Sequence, residues 1–138
     1  MSENIIKTKS FNFALRIVKL YQFLNQEKRE YVLSKQLLRS GTSVGALVRE
    51  AEQAESRLDF IHKLAISQKE ANESDYWLEL LFQSDYLNEI QYQSLKSDIV
   101  EINKILASII ILTKQNLKKI IVNYLSNSQF TIHNSPLF

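Results

Sequence analysis

Ser40-Gly-Thr-Ser-Val-Gly-Ala46 holds six small residues in seven. It lies at the centre of a stretch, about 31–54, in which Leu33, Leu37, Val44, Val48 and Ala51 recur at helical spacing. Two glycines inside a helix cost about 1 kcal/mol each relative to alanine. Close approach by a partner helix would offset that cost; a loop across 41–45 is the alternative. A second stretch, about 56–84, carries Phe60, Leu64, Ser67, Ala71, Ser74, Leu78 and Leu81, alternately four and three residues apart. That is the seam of a left-handed coiled coil, and its centre is small as well. A short turn at 55–57 makes antiparallel neighbours of residues whose numbers sum to about 112. The two small centres then face one another, and Arg39 lies opposite Glu73 and close to Glu70.

Outward from this hairpin, a first helix is expected over about 10–26, with Ser10 as its N-cap. It carries two apolar stripes, one of Phe11, Ala14, Leu15, Val18 and Tyr21, the other of Phe13, Ile17, Leu20 and Leu24. A fourth helix runs over about 88–122 from a cap at Asn88, and its seam is Tyr92, Leu95, Ile99, Ile102, Leu106, Ile109 and Thr113. At this length it measures about 51 Å, more than the first helix covers. Its end, with Leu117, Ile120 and Ile121, must project, break near Asn116 or be covered by another subunit. Residues 123–138 read as an extended tail. The fold class is all-α: one domain, an up-and-down antiparallel four-helix bundle.

Composition agrees. With two glycines and one proline in 138 residues, the chain lacks the turn residues of a many-stranded β fold. There is no cysteine, which excludes disulfides, thiolate metal sites and cysteine nucleophiles. The polar start MSENIIKTKS is unlike a signal peptide. The longest apolar run, Ile105 to Leu112, falls well short of the ~20 residues that span a bilayer. A soluble, cytoplasmic protein that makes no use of a membrane is expected. A net charge of +2 permits nucleic-acid binding without demanding it.

The residues carry no pattern of catalysis or of a cofactor. A di-iron bundle needs Glu-x-x-His on two helices; here there are two histidines, His62 and His133, and neither has Glu three residues before it. Asp59 precedes His62 by three, a pairing common by chance. Gly41 and Gly45 are not followed by the Lys-Ser/Thr of a phosphate loop. The carboxylates Glu50, Glu52, Glu70, Glu73 and Asp75 read more readily as ion-pair partners of Arg39, Arg49 or Lys69 than as acid–base pairs. Basic residues occur at Arg16 and Lys19, at Lys28 and Arg29, and late in the fourth helix. There Lys114 and Lys118, one turn apart, and Lys119 form a patch suited to phosphates.

Two segments, Arg39-Ser-Gly-Thr-Ser-Val-Gly-Ala-Leu-Val-Arg-Glu-Ala51 and Lys69-Glu-Ala-Asn-Glu-Ser-Asp-Tyr-Trp-Leu-Glu-Leu-Leu81, resemble a family of four-helix-bundle proteins encoded in intervening sequences of bacterial 23S rRNA genes. The resemblance extends from about Phe11 to Lys114. It implies a bacterial cytoplasmic protein, a ring of five subunits and no enzymatic activity. Related bundles are accessory factors of diversity-generating retroelements, where a basic five-subunit barrel contacts a reverse transcriptase and nucleic acid. The expected partners are therefore further copies of the chain, and RNA or an RNA-processing enzyme. A purely structural oligomer is the alternative. The motif positions carried over are Arg39, Ser43, Gly45, Glu50, Glu70, Glu73 and Trp77. Leu47 stands where members usually carry Asn, so the polar contact of that Asn is absent here.

Overall fold

Small side chains let helices approach closely, and α2 (Leu33–Glu52) and α3 (Arg57–Gln83) do so as an antiparallel hairpin. The computed structural model describes the backbone over residues 2–133 and side chains over 4–128. α1 (Ser2–Gln26) and α4 (Glu89–His133) complete an up-and-down bundle. Each helix packs against its chain neighbours and α1 closes against α4, so α2 and α4 stand on opposite corners. Paired residues in the hairpin have numbers summing to between 109, for Arg39 with Glu70, and 114, for Ser40 with Ser74. The expected register is therefore present.

The small centre of α2 divides between two partners. Ser40 and Val44 face α3: the Ser67 hydroxyl donates to the Val44 carbonyl at 2.9 Å, and the Ser74 and Ser40 hydroxyls lie 2.9 Å apart. All three serines are buried, and these bonds supply the partners that buried hydroxyls require. The glycines face α1 instead. A Cβ on Gly41 would stand 2.9 Å from Ile17 Cγ1, and one on Gly45 would stand 3.2 Å from the Ser10 carbonyl oxygen. The close approach that offsets their helix penalty is thus to the first helix, not the third, as the hairpin argument alone would place it.

That contact also corrects the start of α1. Ser10 is no N-cap; it is fully buried in mid-helix, and its hydroxyl donates to the Lys7 carbonyl. Its preference for caps competes with its size, and size decides, because a larger residue would not fit beneath Gly45. The inward stripe runs Ile6, Ser10, Phe13, Ile17, Leu20 and Leu24, all buried. Phe11, Leu15 and Val18, on the other stripe, are exposed. α4 is corrected at its other end. It neither breaks near Asn116 nor gives way to an extended tail at 123, but runs as one helix to His133, about 67 Å for 45 residues. The last part of the expected tail, 134–138, lies outside the described residues. Among the described residues no helix is long and apolar enough to cross a membrane.

The connections are made without glycine. α3 opens on Ser56, whose hydroxyl accepts from the Asp59 N–H, and α4 opens on a reciprocal pair between Asn88 and Gln91. α3 closes with the Tyr86 N–H donating to the Leu81 carbonyl and that of Asp85 to Phe82, with Asp85 at φ 68°. This is a Schellman cap with aspartate in the left-handed position usually given to glycine. At the start of α2, Val32 offers no side-chain cap. The buried Glu30 carboxylate takes that role, accepting from the N–H groups of Val32, Leu33 and Ser34 at 2.7–3.1 Å. Burial raises the Glu30 pKa, but the backbone donors outweigh it and leave the carboxyl below its ordinary value.

Two outcomes follow. Gly45→Leu, driven against the Ser10 backbone, should lower stability by roughly 3 kcal/mol in urea unfolding; an unchanged midpoint would refute the close contact. Glu30 stabilises fully above its unfolded value near 4.5, and this contribution disappears as pH falls through its lower folded value. Glu30→Gln should therefore be less stable at pH 7 by about 1 kcal/mol, and the gap should narrow below pH 4.5. Melting curves of both proteins across that range check it.

Candidate functional site

The motif residues of α2 and α3 assemble at the hairpin and fasten it. Arg39 Nη1 donates to Glu70 Oε2 at 3.1 Å, and Nη2 forms an ion pair with Glu73. Glu73 also accepts from the Trp77 indole N–H at 3.2 Å. Partial burial works against the Arg39 charge, but the two carboxylates overcome it and raise its pKa above the ordinary value. Ser43 is half-buried and donates to the Arg39 carbonyl, Gly45 meets Ser10, and exposed Glu50 lies 3.9 Å from Lys63. Each of the seven positions thus has a place in the architecture. They do not converge on a pocket, and nothing among them resembles a catalytic group aimed at a substrate.

The other two carboxylates singled out in the sequence, Glu52 and Asp75, are ion-paired too, with partners different from those expected. Asp75 pairs with Lys96 of α4 at 2.7 Å and Glu52 with Lys7 of α1 at 3.2 Å. Arg49 instead lies over the Phe11 ring, 5.1 Å from its centroid. Arg16, one of the basic residues of the first helix, is taken up by Asp98 at 2.6 Å and Ser94 at 2.8 Å across the α1–α4 contact. The hairpin register that places Arg39 concerns α2 and α3 alone, so these pairs, which involve α1 and α4, were not among the expectations. Among the described residues no group of three or more His, Cys, Asp or Glu could hold a metal ion. His62 is exposed, and the His133 side chain lies outside the described ones.

Lys114, Lys118 and Lys119 lie on α4, the helix diagonally opposite α2. They are exposed, and no carboxylate of the described residues lies within 4.0 Å of them. Lys118 and Lys119 rim a shallow groove with Gln115, Val122 and Asn123. After Glu101 the chain has four lysines and no acid, leaving thirteen of the seventeen Lys and Arg against all fifteen Asp and Glu before it. The chain up to Glu101 is therefore slightly acidic and the part of α4 beyond it wholly basic. At the same end of the bundle is an open cleft of about 420 Å³, lined by apolar residues such as Ile6, Val48, Phe60, Leu64 and Ile109, with Glu52 and Arg57 at its rim. Its lining comes from all four helices, a convergence that no single stretch of sequence displays.

An ion-paired four-helix bundle with a small-residue hairpin is the class that fold and motif define. The chain belongs to the 23S rRNA-intervening sequence protein family, whose model it matches over residues 2–108. It is 60% identical to a protein of unknown function from the S23 ribosomal protein family of Bacteroides thetaiotaomicron VPI-5482. That crystal structure superimposes with a TM-score of 0.79 over 80% of this chain and 98% of the other. No curated protein matches. The family match covers the ion-paired hairpin and stops before Lys114.

A double-mutant cycle between Arg39 and Glu73 should give a coupling of about 0.5–1 kcal/mol, the range of a partly exposed pair. The 3.9 Å pair of Glu50 and Lys63 should give none. Equal coupling in the two cycles would show that the Arg39 pairs do not fasten the hairpin.

Proposed function

We propose that the chain is a non-enzymatic, self-associating bundle of the bacterial cytoplasm whose repeated basic surface binds RNA through its phosphates. The observation that carries this reading is the acid-free stretch of α4 with Lys114, Lys118 and Lys119 exposed and unpaired. Lysines on a helix surface suit a phosphate backbone and read no bases. Trp77 is part-buried and bonded to Glu73, which takes its ring out of use as a stacking platform for splayed bases. Self-association follows from the outward stripe of α1: Phe11 and Leu15 are each 46% exposed and Val18 is 37% exposed. Contiguous apolar surface of this kind marks interfaces. Five copies is the count that the family resemblance favours, and repetition turns three lysines into an avid surface.

The same apolar stripe, taken alone, favours the second reading, a structural oligomer or protein-interaction module with no role in nucleic-acid binding. Salt titration separates the two. RNA affinity of the parent should fall steeply with salt, and replacing Lys114, Lys118 and Lys119 together with glutamate should flatten the log–log slope by about 2–3. Helical content should stay unchanged. A parent without salt-dependent RNA binding leaves the scaffold reading; a triple variant that binds like the parent removes the lysines from the RNA surface.

A further inference from the structure

At one end of the bundle α1 and α3 begin and α2 ends, while α4 runs on past them as an arm. The α3–α4 pairs Asp75–Lys96 and Asn72–Asn103 put the root of that arm at about residue 116. The apolar cleft of about 420 Å³ opens among the four helices at this end, within the size range of small-molecule sites. Its floor is Ile6, Val48, Leu64 and Ile109, none more than 6% exposed, so it reaches the core. Phe60 is a half-buried wall. The cleft stays open because the residues that would close it are small: Ala51, Ala54 and, where the α4 seam reaches this layer, Thr113. The Thr113 hydroxyl is satisfied by the Ile109 carbonyl at 2.7 Å. Among the described residues, no buried side-chain polar atom of the cleft lacks a partner. Water on this floor therefore finds few hydrogen-bond partners, and an apolar group displaces it favourably.

Charge at the mouth selects the occupant. Two charged side chains line the cleft, Glu52 and Arg57. Glu52 is engaged by Lys7 at 3.2 Å. Arg57 is exposed and has no hydrogen-bond or ion-pair partner among the described residues. Its sequence neighbours Glu55 and Asp59 do not line the cleft, and the Asp59 carboxylate accepts from the Glu55 N–H at 3.3 Å. One free guanidinium thus stands at the mouth of an apolar floor. We infer that the cleft binds a small carboxylate with an apolar tail, its head at Arg57 and its tail on Phe60 and Ile109. The planar fork of a guanidinium matches the two oxygens of a carboxylate. It matches a phosphate as well, but the second charge of a phosphate would face Glu52 with no further free cation to answer it. An ammonium head would meet Arg57 directly and be repelled. The inference does not rest on RNA binding or on the number of copies in an assembly.

Calorimetry on the full chain with hexanoate, heptanoate and octanoate tests this. Octanoate should bind, and each added methylene should tighten binding roughly two- to fourfold. Octanol and octylammonium should bind more weakly than octanoate. Arg57→Glu, at an exposed site with no partner to lose, should weaken octanoate about tenfold, leave octanol unchanged and strengthen octylammonium. Thr113→Leu, which fills the cleft from its α4 side, should abolish binding of all three while the melting temperature holds or rises. No heat from octanoate at millimolar concentration overturns the inference, as does equal binding of the carboxylate, the alcohol and the amine. Octanoate binding that survives Thr113→Leu lies elsewhere on the molecule and overturns it too. Octanoate affinity that falls as the protein is concentrated would mean that a second copy closes the cleft, which replaces the carboxylate as its occupant.

Discussion

A layer in which three helices give up side-chain volume sets the geometry of the whole molecule. α1 contributes Ser10, α2 contributes Ser40, Gly41 and Gly45, and α3 contributes Ser67, Ala71 and Ser74, all buried. The Gly45 backbone can sit against the Ser10 carbonyl only because neither residue has a bulky side chain. The hydroxyls of Ser40, Ser67 and Ser74 are bonded across the gap and that of Ser10 to its own helix, so the closeness leaves no orphaned polar atom among these serines. Larger residues above and below, such as Phe13, Leu37, Leu64 and Leu78, then fill the space that the tight waist defines. Arg39 with its two glutamates fixes the register from outside this waist.

Much of this was legible in the residues, and the parts that were not share a cause. The α2–α3 register followed from two small centres and a short turn, and Arg39 lies where that register puts it. Caps at Ser56 and Asn88 were legible because a side chain and a nearby amide are close in sequence. The start of α1 was misplaced because serine signals a cap locally, while a packing need 35 residues away decides its role. The direction of the glycines was misread for a like reason: one helix of small residues has two sides, and periodicity alone does not say which neighbour takes which. Glu30 as a cap lay beyond a rule that looks at the residue before the helix, since its carboxylate reaches back from two positions further out.

The motif shared with the family and the segment that departs from it have separate work. Arg39, Glu70, Glu73 and Trp77 are bonded to one another, and their chemistry is used up in holding two helices together. Lys114, Lys118 and Lys119 have no ion-pair partner among the described residues, Ile120 and Ile121 are half exposed, and all of them lie past residue 108, where the family model ends. Sequence similarity therefore describes how the body is built.

That α4 is a single helix has a consequence for the order of its outer part. An isolated helix of about 17 residues is marginal in water because its first turn is unfavourable to nucleate. Here the bundle supplies that first turn, and each outer residue adds only a propagation step. The outer part is nonetheless composed of weak formers, with Asn116, Asn123, Ser126 and Asn127 interrupting the aliphatics. Its helix–coil balance is therefore seeded from one end and set by whatever lies along its apolar side. Folding of the body and ordering of the arm are two linked equilibria within one unbroken element.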